Sequence, residues 1–364
     1  MLLSPSVDKL RAIHFEITNK CNSRCPGCAR TLKGETHPYL ADKLMQWDLE
    51  EIKKVLHPDT IDDRLFTFGG VVDEPFMNTN IVDICHYIVE NDGWIEIFTN
   101  GGANTKEAFS DLGKLSRESK GRLKINFSVD GTKDTNHLYR VNVIWDKVLE
   151  NMTAYTKEQG HGEWQYLVFD HNEKSIEEAK KIAKQLNIPF YLRQNVRNIK
   201  PWTSYITKKI DGKLVTEKFL VKPTKKKEFE HPSLKEVKNW SEEIGTPEQE
   251  LEKSKTINCL FYHEREIFID WSGLVWPCCW FATDYHMEDR KYMKKMREEL
   301  GTTWNSVKHH SLEEILSHPY YKELLYKSWT DGEKFHNPDC FKKCGDNAKR
   351  QKYQYQAEFV PGSI

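Results

Sequence analysis

The segment IHFEITNKCNSRCPGC, residues 13–28, joins a short apolar alternation to a loop that carries three cysteines. Its first five residues alternate between apolar and polar types, which is the two-residue period of a β-strand. Cys21, Cys25 and Cys28 follow with the spacing CxxxCxxC. The segment therefore predicts a strand whose following loop presents three thiols together.

Similar strands recur along the chain, where apolar runs alternate with segments of helical period from residue 11 to residue 195. The predicted strands are 13–17, 65–68, 94–99, 123–129, 164–169 and 190–192, and the predicted helices are 49–56, 79–90, 106–115, 145–156 and 175–186. Six βα repeats in series favour a parallel sheet with right-handed crossovers. We predict an α/β fold, a partial (β/α)6 TIM-like barrel with its chemistry at the carboxyl ends of the strands.

Glycines and polar side chains gather at these predicted strand ends. Residues 69–70 and 73–75 follow the second strand, residues 100–102 the third and residues 128–131 the fourth. Each group alone could serve a tight turn. With the three cysteines after the first strand, four strand ends carry such groups on one rim of the barrel, which favours a ligand site.

The chain divides into three predicted parts. Residues 1–196 form the barrel, and residues 197–256 form a charged linker or insertion with a β-hairpin around Asp211-Gly212. Residues 257–364 form a small cysteine-rich domain with a second hairpin at 267–276. Glutamates interleave with the lysines of the middle part, which is more typical of a solvated surface than of a phosphate-binding one.

Composition excludes several classes of protein. The 364 residues include 54 Lys and Arg against 55 Asp and Glu, so no strong overall charge attracts nucleic acid or an acidic membrane. The amino-terminal residues lack the pattern of a signal peptide, and no run approaches ~18 apolar residues. We expect a cytoplasmic protein without a membrane partner, in which the cysteines are reduced and the two groups of cysteines serve metal or redox chemistry. Cys85 lies apart from both groups in the apolar pattern of a predicted helix and is expected to be a core residue.

Three thiols in CxxxCxxC spacing can hold three irons of a [4Fe–4S] cluster and leave the fourth iron open to a ligand. A zinc site would need a further ligand, and His14 and His37 are the candidates. His14 falls inside the predicted strand and His37 lies nine residues after Cys28, so the cluster is the favoured interpretation.

Residues 16–28 closely resemble the cluster loop of the radical S-adenosylmethionine (SAM) enzymes, and the resemblance extends over roughly residues 10–195. It implies that Cys21, Cys25 and Cys28 bind a [4Fe–4S] cluster whose open iron chelates the amino and carboxylate groups of SAM. It also implies reductive cleavage of SAM to a 5′-deoxyadenosyl radical, with electrons from an external flavodoxin- or ferredoxin-like donor.

The resemblance carries over to further residues of the SAM site. Glu74 matches the carboxylate that meets the SAM amino group, and Ser128 and Asp130 match polar residues near the ribose or carboxylate. Arg140 could pair with the SAM carboxylate or form a surface ion pair with a nearby helix. Asn172 is expected to reach the ribose.

Two positions depart from the family's pattern. Asp73 replaces the glycine of the Gly-Glu-Pro motif. Gly27 stands before the third cysteine, where the family often has an aromatic residue, so the packing of the adenine must come from elsewhere.

The carboxy-terminal cysteines resemble SPASM and twitch domains, which carry auxiliary iron–sulfur clusters. Cys259, Gly273 and Cys278 match the opening pattern CxnGx4C. With Cys340 and Cys344 they supply four thiols, enough for one fully ligated [4Fe–4S] cluster as in the shorter twitch domain. A zinc site would use the same four thiols, and Cys279 could take the place of Cys278.

These features predict an enzyme that abstracts hydrogen from a C–H bond and uses an auxiliary cluster for electron transfer. Oxidative modification of a peptide or protein side chain is the leading hypothesis. A twitch-type dehydrogenase or epimerase of a small metabolite, such as an amino sugar, is the alternative, because the first strand begins without a preceding peptide-recognition domain. A non-catalytic iron–sulfur redox protein would leave the polar residues at the strand ends unexplained. A nucleic-acid-binding protein stabilised by a structural zinc site conflicts with the near-zero net charge.

Overall fold

The computed structural model describes residues 6–193, 201–229, 257–286, 291–330, 340, 344–345 and 355–359. Its strands are β1 Ala12–Phe15, β2 Thr31–Leu32, β3 Glu35–Thr36, β4 Leu65–Phe68, β5 Trp94–Thr99, β6 Leu123–Ser128, β7 Gly162–Leu167, β8 Phe190–Arg193, β9 Trp202–Ile210, β10 Lys213–Val221, β11 Glu266–Ile269, β12 Val275–Trp276 and β13 Tyr355–Phe359. All six predicted strands are confirmed as β1 and β4 to β8, with ends that differ by a few residues.

The α-helices are α1 Pro38–Ala41, α2 Leu49–Val55, α3 Pro58–Ile61, α4 Ile81–Glu90, α5 Lys106–Glu118, α6 Asn136–Tyr139, α7 Trp145–Lys157, α8 Ile176–Leu186, α9 Leu260–Glu264, α10 Cys279–His286, α11 Lys291–Leu300, α12 Leu312–Ser317 and α13 Leu325–Thr330. The five predicted helices are confirmed as α2, α4, α5, α7 and α8. Within the described residues, no helix is long and apolar enough to cross a bilayer.

The described strands form one sheet of nine members in the order β12-β11-β1-β4-β5-β6-β7-β8-β13. Strands β1, β4 to β8 and β11 run parallel, and β12 and β13 pair antiparallel at the two ends. Since β12 and β13 do not pair with each other, the sheet is open. The fold is therefore the predicted α/β partial barrel.

One parallel strand comes from an unexpected part of the chain. Strand β11 is one arm of the predicted carboxy-terminal hairpin, and it pairs with β1 so that Ile267 lies beside Ile13. The cysteine-rich region thereby extends the barrel sheet, and Phe261, Ile267 and Trp276 belong to the same core as the barrel strands. The division into three parts stays a prediction.

Apolar side chains explain why one face of the sheet packs against helices. Phe66, Ile95, Ile97 and Phe127 lie on the same face by their register, and all four are buried. Helix α4 buries the side chains Ile81, Ile84, Cys85 and Ile88, which recur with the period of one helix face. The parallel strands thus end at one rim, and the polar residues beyond them meet there.

The hairpin predicted around Asp211-Gly212 is confirmed and is longer than expected, because β9 and β10 pair from Trp202–Val221 to Ile210–Lys213. Asp211 and Gly212 both have positive φ, 48° and 80°, as the two-residue turn of a twisted hairpin requires. We name residues 202–221 the ribbon. Ser204 at its base donates a hydrogen bond to the carbonyl of Leu138, at 2.6 Å.

Candidate cluster and cofactor site

The three amino-terminal cysteines lie on one loop beyond β1. Cys25 is buried, and Cys21 and Cys28 are half-buried. Ser23 ties the loop together, since its amide donates to Cys21 Sγ at 3.4 Å and its hydroxyl lies 3.1 Å from Cys25 Sγ. The Arg24 amide donates to the carbonyl of Val141 and fixes the loop against the chain that follows β6.

The charges around these thiols suit metal ligands. Burial raises the pKa of Cys28 to about 11 and the pKa of Cys21 above its ordinary value, and the neighbouring Cys25 raises both. Arg30 opposes this effect at both thiols, because a nearby cation stabilises a thiolate. Arg30 is buried, and its guanidinium donates to the carbonyls of Asn19 and Val72.

Glu74 lies in the loop that follows β4, and its carboxylate is already hydrogen-bonded. One oxygen accepts from the Thr99 hydroxyl at 2.6 Å and from the Phe76 amide at 3.3 Å, and the other accepts from the Asn100 amide at 2.8 Å. Burial raises the pKa of Glu74, and these hydrogen bonds lower it. The carboxylate therefore joins the ends of β4 and β5 into one wall of the site.

Asp73, next to Glu74, has the opposite environment. Both of its carboxylate oxygens are buried, and neither has a hydrogen-bond partner within the described residues. Burial raises the pKa of Asp73 well above its ordinary value and the Glu74 carboxylate raises it further, while the nearby Arg30 guanidinium opposes this rise. A buried acid without donors is costly unless a cation meets it. Asp73 is thus an unsatisfied acceptor at the strand ends.

Arg140 pairs with Asp130 rather than with a surface helix. The Arg140 Nε atom lies 2.7 Å from Asp130 Oδ2, and Arg140 Nη1 lies 3.9 Å from Cys25 Sγ. The other Asp130 oxygen accepts from the Leu167 amide at 2.7 Å. Burial opposes the charge of Arg140, but Asp130 and Cys25 raise its pKa. The ion pair places a cation beside the cysteine loop.

The side chains of Asn172 and Ser128 differ in their hydrogen bonding. Asn172 is fully buried; its amide nitrogen donates to the carbonyls of Asp130 and Leu167, and its oxygen accepts from the Phe169 amide. These bonds hold the chain beyond β7. Ser128 is half-buried at the end of β6, and no hydrogen bond to its hydroxyl is found within the described residues. The predicted contacts of both residues with the ribose stay predictions.

An aromatic side chain fills the space above Gly27. A Cβ atom at Gly27 would lie 2.5 Å from one ring atom of Trp202 and within 2.9 Å of two more. The Trp202 ring stacks near Tyr139, with centroids 6.2 Å apart and planes 22° from parallel, and Phe169 lies beside both. Tyr139 and Phe169 pack with Cys25 in one apolar cluster. The ribbon thus brings an aromatic ring to the position where the loop itself has none.

The two histidines of the zinc alternative are engaged elsewhere. His14 Nε2 lies 2.9 Å from the carbonyl oxygen of Gly69, and burial lowers the pKa of His14 to about 4. His37 caps helix α1 by accepting from the Tyr39 amide. Within the described part of the chain, no group of three or more His, Cys, Asp or Glu is arranged for a single metal ion. In a [4Fe–4S] cluster each thiolate binds a separate iron.

The carboxy-terminal cysteines gather beside the hairpin of β11 and β12. Burial raises the pKa of Cys278, and the neighbouring thiols Cys279, Cys340 and Cys259 raise it further. The Asn258 amide donates to the Cys344 carbonyl at 2.7 Å, so Cys344 lies beside the Cys259 segment. The structure therefore brings the four predicted ligands into one region, together with Cys279.

Asp270 holds the turn of this hairpin. Its carboxylate accepts from the Ser272 amide and hydroxyl, the Leu274 amide, the Trp276 indole and His286 Nε2, at 2.6 to 3.1 Å. Sequence reasoning missed this anchor, as it missed Arg30 and Trp202. The spacing of an Asp-x-Ser-Gly turn was a usable signal for Asp270, whereas no local pattern connects Trp202 to Gly27.

A parallel α/β barrel with three thiols beyond its first strand, and a further group of thiols beside the same sheet, defines an iron–sulfur protein. Residues 15–187 match the family model of the radical SAM superfamily, and residues 259–346 match that of the SPASM iron–sulfur cluster-binding domain. The chain therefore carries a radical SAM domain, followed by a SPASM-type carboxy-terminal region.

Known proteins resemble this chain over most of its length. A cofactor-modifying protein for the tungsten-containing aldehyde ferredoxin oxidoreductase of Pyrococcus furiosus is 22% identical over 340 residues, covering 88% of this chain and 87% of that protein. The solved structure of anSMEcpe with bound AdoMet has a TM-score of 0.51 at 13% identity and covers 88% of this chain and 81% of its own. Streptococcus suis SuiB bound to the precursor peptide SuiA has a TM-score of 0.51 at 11% identity, with coverage of 89% and 67%. The two structures show a shared fold.

The family's cofactors are [4Fe–4S] clusters and SAM, and the residues present fit them. Three thiols on one loop, with Arg30 and Arg140 close by, suit a cluster with an open iron. The unsatisfied carboxylate of Asp73 suits a cationic ligand such as the ammonium group of SAM.

Proposed function

We propose that this protein is a radical SAM enzyme that oxidatively modifies a peptide or protein side chain in the cytoplasm. The observation that carries the proposal is the combination of three clustered thiols with the unsatisfied carboxylate of Asp73 on one barrel rim. When bound, the cluster and SAM supply an electron and a 5′-deoxyadenosyl radical, which abstracts hydrogen from the substrate.

The chain's own residues hold the reactants. Cys21, Cys25 and Cys28 are the proposed cluster ligands. Asp73 accepts the ammonium group of SAM, and Glu74 beside it shapes the wall and has one acceptor position left for the same group. Arg140, fixed by Asp130, offers its remaining N–H groups to the SAM carboxylate.

The aromatic residues beside the loop suit the nucleoside part of SAM. Phe169 is fully buried and Tyr139 nearly so, whereas Trp202 is half-buried in the same cluster as Cys25 and Cys28. Stacking on an aromatic side chain is worth ~1–3 kcal/mol per base. We propose that the adenine lies against Trp202, with Ser128 and Asn172 near the ribose. Cys259, Cys278, Cys340 and Cys344 are the proposed ligands of the auxiliary cluster, with Cys279 as the alternative to Cys278.

The choice of substrate draws on relatives. SuiB was solved with its precursor peptide, which supports a peptide substrate. The relative from Pyrococcus furiosus is described as cofactor-modifying, which keeps a small-molecule substrate as the second candidate.

Isotope transfer separates these candidates. Peptides and small metabolites labelled with deuterium at C–H positions are incubated with the reduced protein and SAM, and 5′-deoxyadenosine is analysed by mass spectrometry. Deuterium from a peptide side chain supports the leading proposal. Deuterium from a small metabolite supports the alternative, and SAM cleavage without transfer from any peptide tested would count against a peptide substrate.

A further inference from the structure

The ribbon projects from the barrel beside the cysteine loop. Every residue from Thr207 to Lys218 is exposed, on both strands and both faces. An isolated two-stranded hairpin is marginally stable in water. Cross-strand contacts support this one, including a 3.0 Å contact between the hydroxyls of Thr207 and Thr216. The exposed part of the ribbon therefore lies outside the core and is accessible to a partner.

The exposed part of the ribbon combines positive charge with apolar side chains. The ribbon contains four lysines against two acidic residues, a net charge of +2 in a chain whose net charge is −1. Lys208 pairs with Glu217, whereas Lys209 and Lys213 have no ion-pair partner within the described residues. Leu214 is 76% exposed and Ile210 is 46% exposed. This combination suits an acidic protein better than a nucleic acid, because large aliphatic side chains interrupt the lysines.

The base of the ribbon rests on the cysteine loop. Trp202 fills the space above Gly27 between the second and third cysteines, and Val221 is buried in the same cluster as Cys25. Phe219 packs edge-on against His171 at 5.3 Å. A protein that binds the exposed part of the ribbon is therefore held on the side of the barrel where the cysteine loop lies.

We propose that the ribbon is the docking site of an acidic electron-transfer protein, a flavodoxin or ferredoxin, that reduces the cluster held by Cys21, Cys25 and Cys28. The donor loses one electron, and the cluster gains it. Lysines attract the acidic donor, and Ile210 and Leu214 provide the apolar contact. This inference rests on the proposed function, because a reductively activated enzyme needs such a donor.

The test compares two routes of reduction in the intact holoenzyme. The variant K209E/K213E/L214S changes the exposed end of the ribbon, and K114E/K157E on the exposed faces of α5 and α7 is the charge-matched control. Dithionite is a small reductant that needs no docking site. The protein donors are an acidic flavodoxin and an acidic two-cluster ferredoxin.

We expect the ribbon variant to bind oxidised flavodoxin at least tenfold more weakly by calorimetry, with the wild-type affinity falling as salt rises. We expect its flavodoxin- or ferredoxin-driven cleavage of SAM to fall at least tenfold, while dithionite-driven cleavage stays within twofold of wild type. The control should match wild type in every assay.

Several results would overturn the inference. If neither donor binds or reduces the wild-type protein, the ribbon is not a docking site. The same conclusion follows if donor binding by the ribbon variant is unchanged. A variant that loses only peptide binding makes the ribbon a substrate surface. Equal losses of SAM cleavage with dithionite and with protein donors would show that the ribbon variant has a damaged cluster site. The milder variants L214S and K209Q/K213Q then replace it, and unchanged donor binding by both would reject the proposal. Failure of dithionite-driven cleavage in the wild type would instead reject the proposed function.

Discussion

Replacing Asp73 with asparagine should weaken SAM binding without weakening the fold. The Asp73 carboxylate is buried beside Glu74 with no donor to either oxygen within the described residues. A charge-assisted contact with the SAM ammonium is worth roughly 1.5–3 kcal/mol, so D73N should raise the Kd for SAM about ten- to a hundredfold. The free energy of unfolding of the SAM-free protein should not decrease, because the substitution removes an acid whose ionised form has no hydrogen-bond donor.

The pH dependence of SAM binding gives a second readout for Asp73. Burial and Glu74 raise the pKa of Asp73, so the carboxyl takes up a proton at a higher pH than an exposed aspartate. The affinity of the wild type for the SAM ammonium should therefore fall as pH falls through this raised pKa, and D73N should lack this component. Calorimetric titrations of the anaerobic holoenzyme at several pH values measure both effects.

Glu74→Gln is the matched comparison. The Glu74 carboxylate accepts three hydrogen bonds, and an amide group turned toward the Asn100 N–H would oppose one donor with another. E74Q should therefore lower the free energy of unfolding by about 1–3 kcal/mol, as measured by urea titration. Unchanged SAM affinity in D73N, together with a large loss in a stably folded E74Q, would refute the reasoning and make Glu74 the ammonium partner.

The remaining predictions concern packing, protonation and iron. Gly27→Ala should cost about 1–3 kcal/mol in urea titrations because its methyl group meets the Trp202 ring, and Trp202→Ala should remove that penalty in the double variant; additive effects would contradict the contact. Burial lowers the pKa of His14 to about 4, so the unfolded chain binds a proton that the folded chain excludes, and stability should fall by up to about 3 kcal/mol from pH 6.5 to 4. His14→Gln should flatten this fall, and an unchanged pH profile would contradict it. Alanine at Cys340 and Cys344 together should lower iron by about four per chain and spare SAM cleavage; retained iron, with circular dichroism showing an intact fold, would make Cys279 or His263 a ligand.

The parallel sheet could be predicted from sequence because each strand carries its own apolar run. The pairing of β11 with β1 could not, since parallel partners far apart in sequence leave no local pattern. Ile267 and Ile13 are both apolar, and nothing in either segment marks them as neighbours. The ribbon was predictable at its turn because Asp211-Gly212 suits positive φ.

The residues of the candidate site could be predicted from the sequence, whereas many of their contacts could not. Arg140 was open to two interpretations, and the structure pairs it with Asp130 beside the cysteine loop. The hydrogen bonds of Asn172 to three backbone groups depend on the path of the chain beyond β7, which the sequence does not encode locally. The placement of Trp202 above Gly27 depends on where the ribbon docks.

The most direct test of the account is SAM cleavage by the anaerobically purified, dithionite-reduced protein, compared with the variant C21A/C25A/C28A. We expect the wild type to contain about eight irons per chain and to form 5′-deoxyadenosine. The triple variant should lose about four irons and form none, while circular dichroism shows an intact fold. Formation of 5′-deoxyadenosine by the triple variant, or zinc without iron in the wild type, would contradict the account.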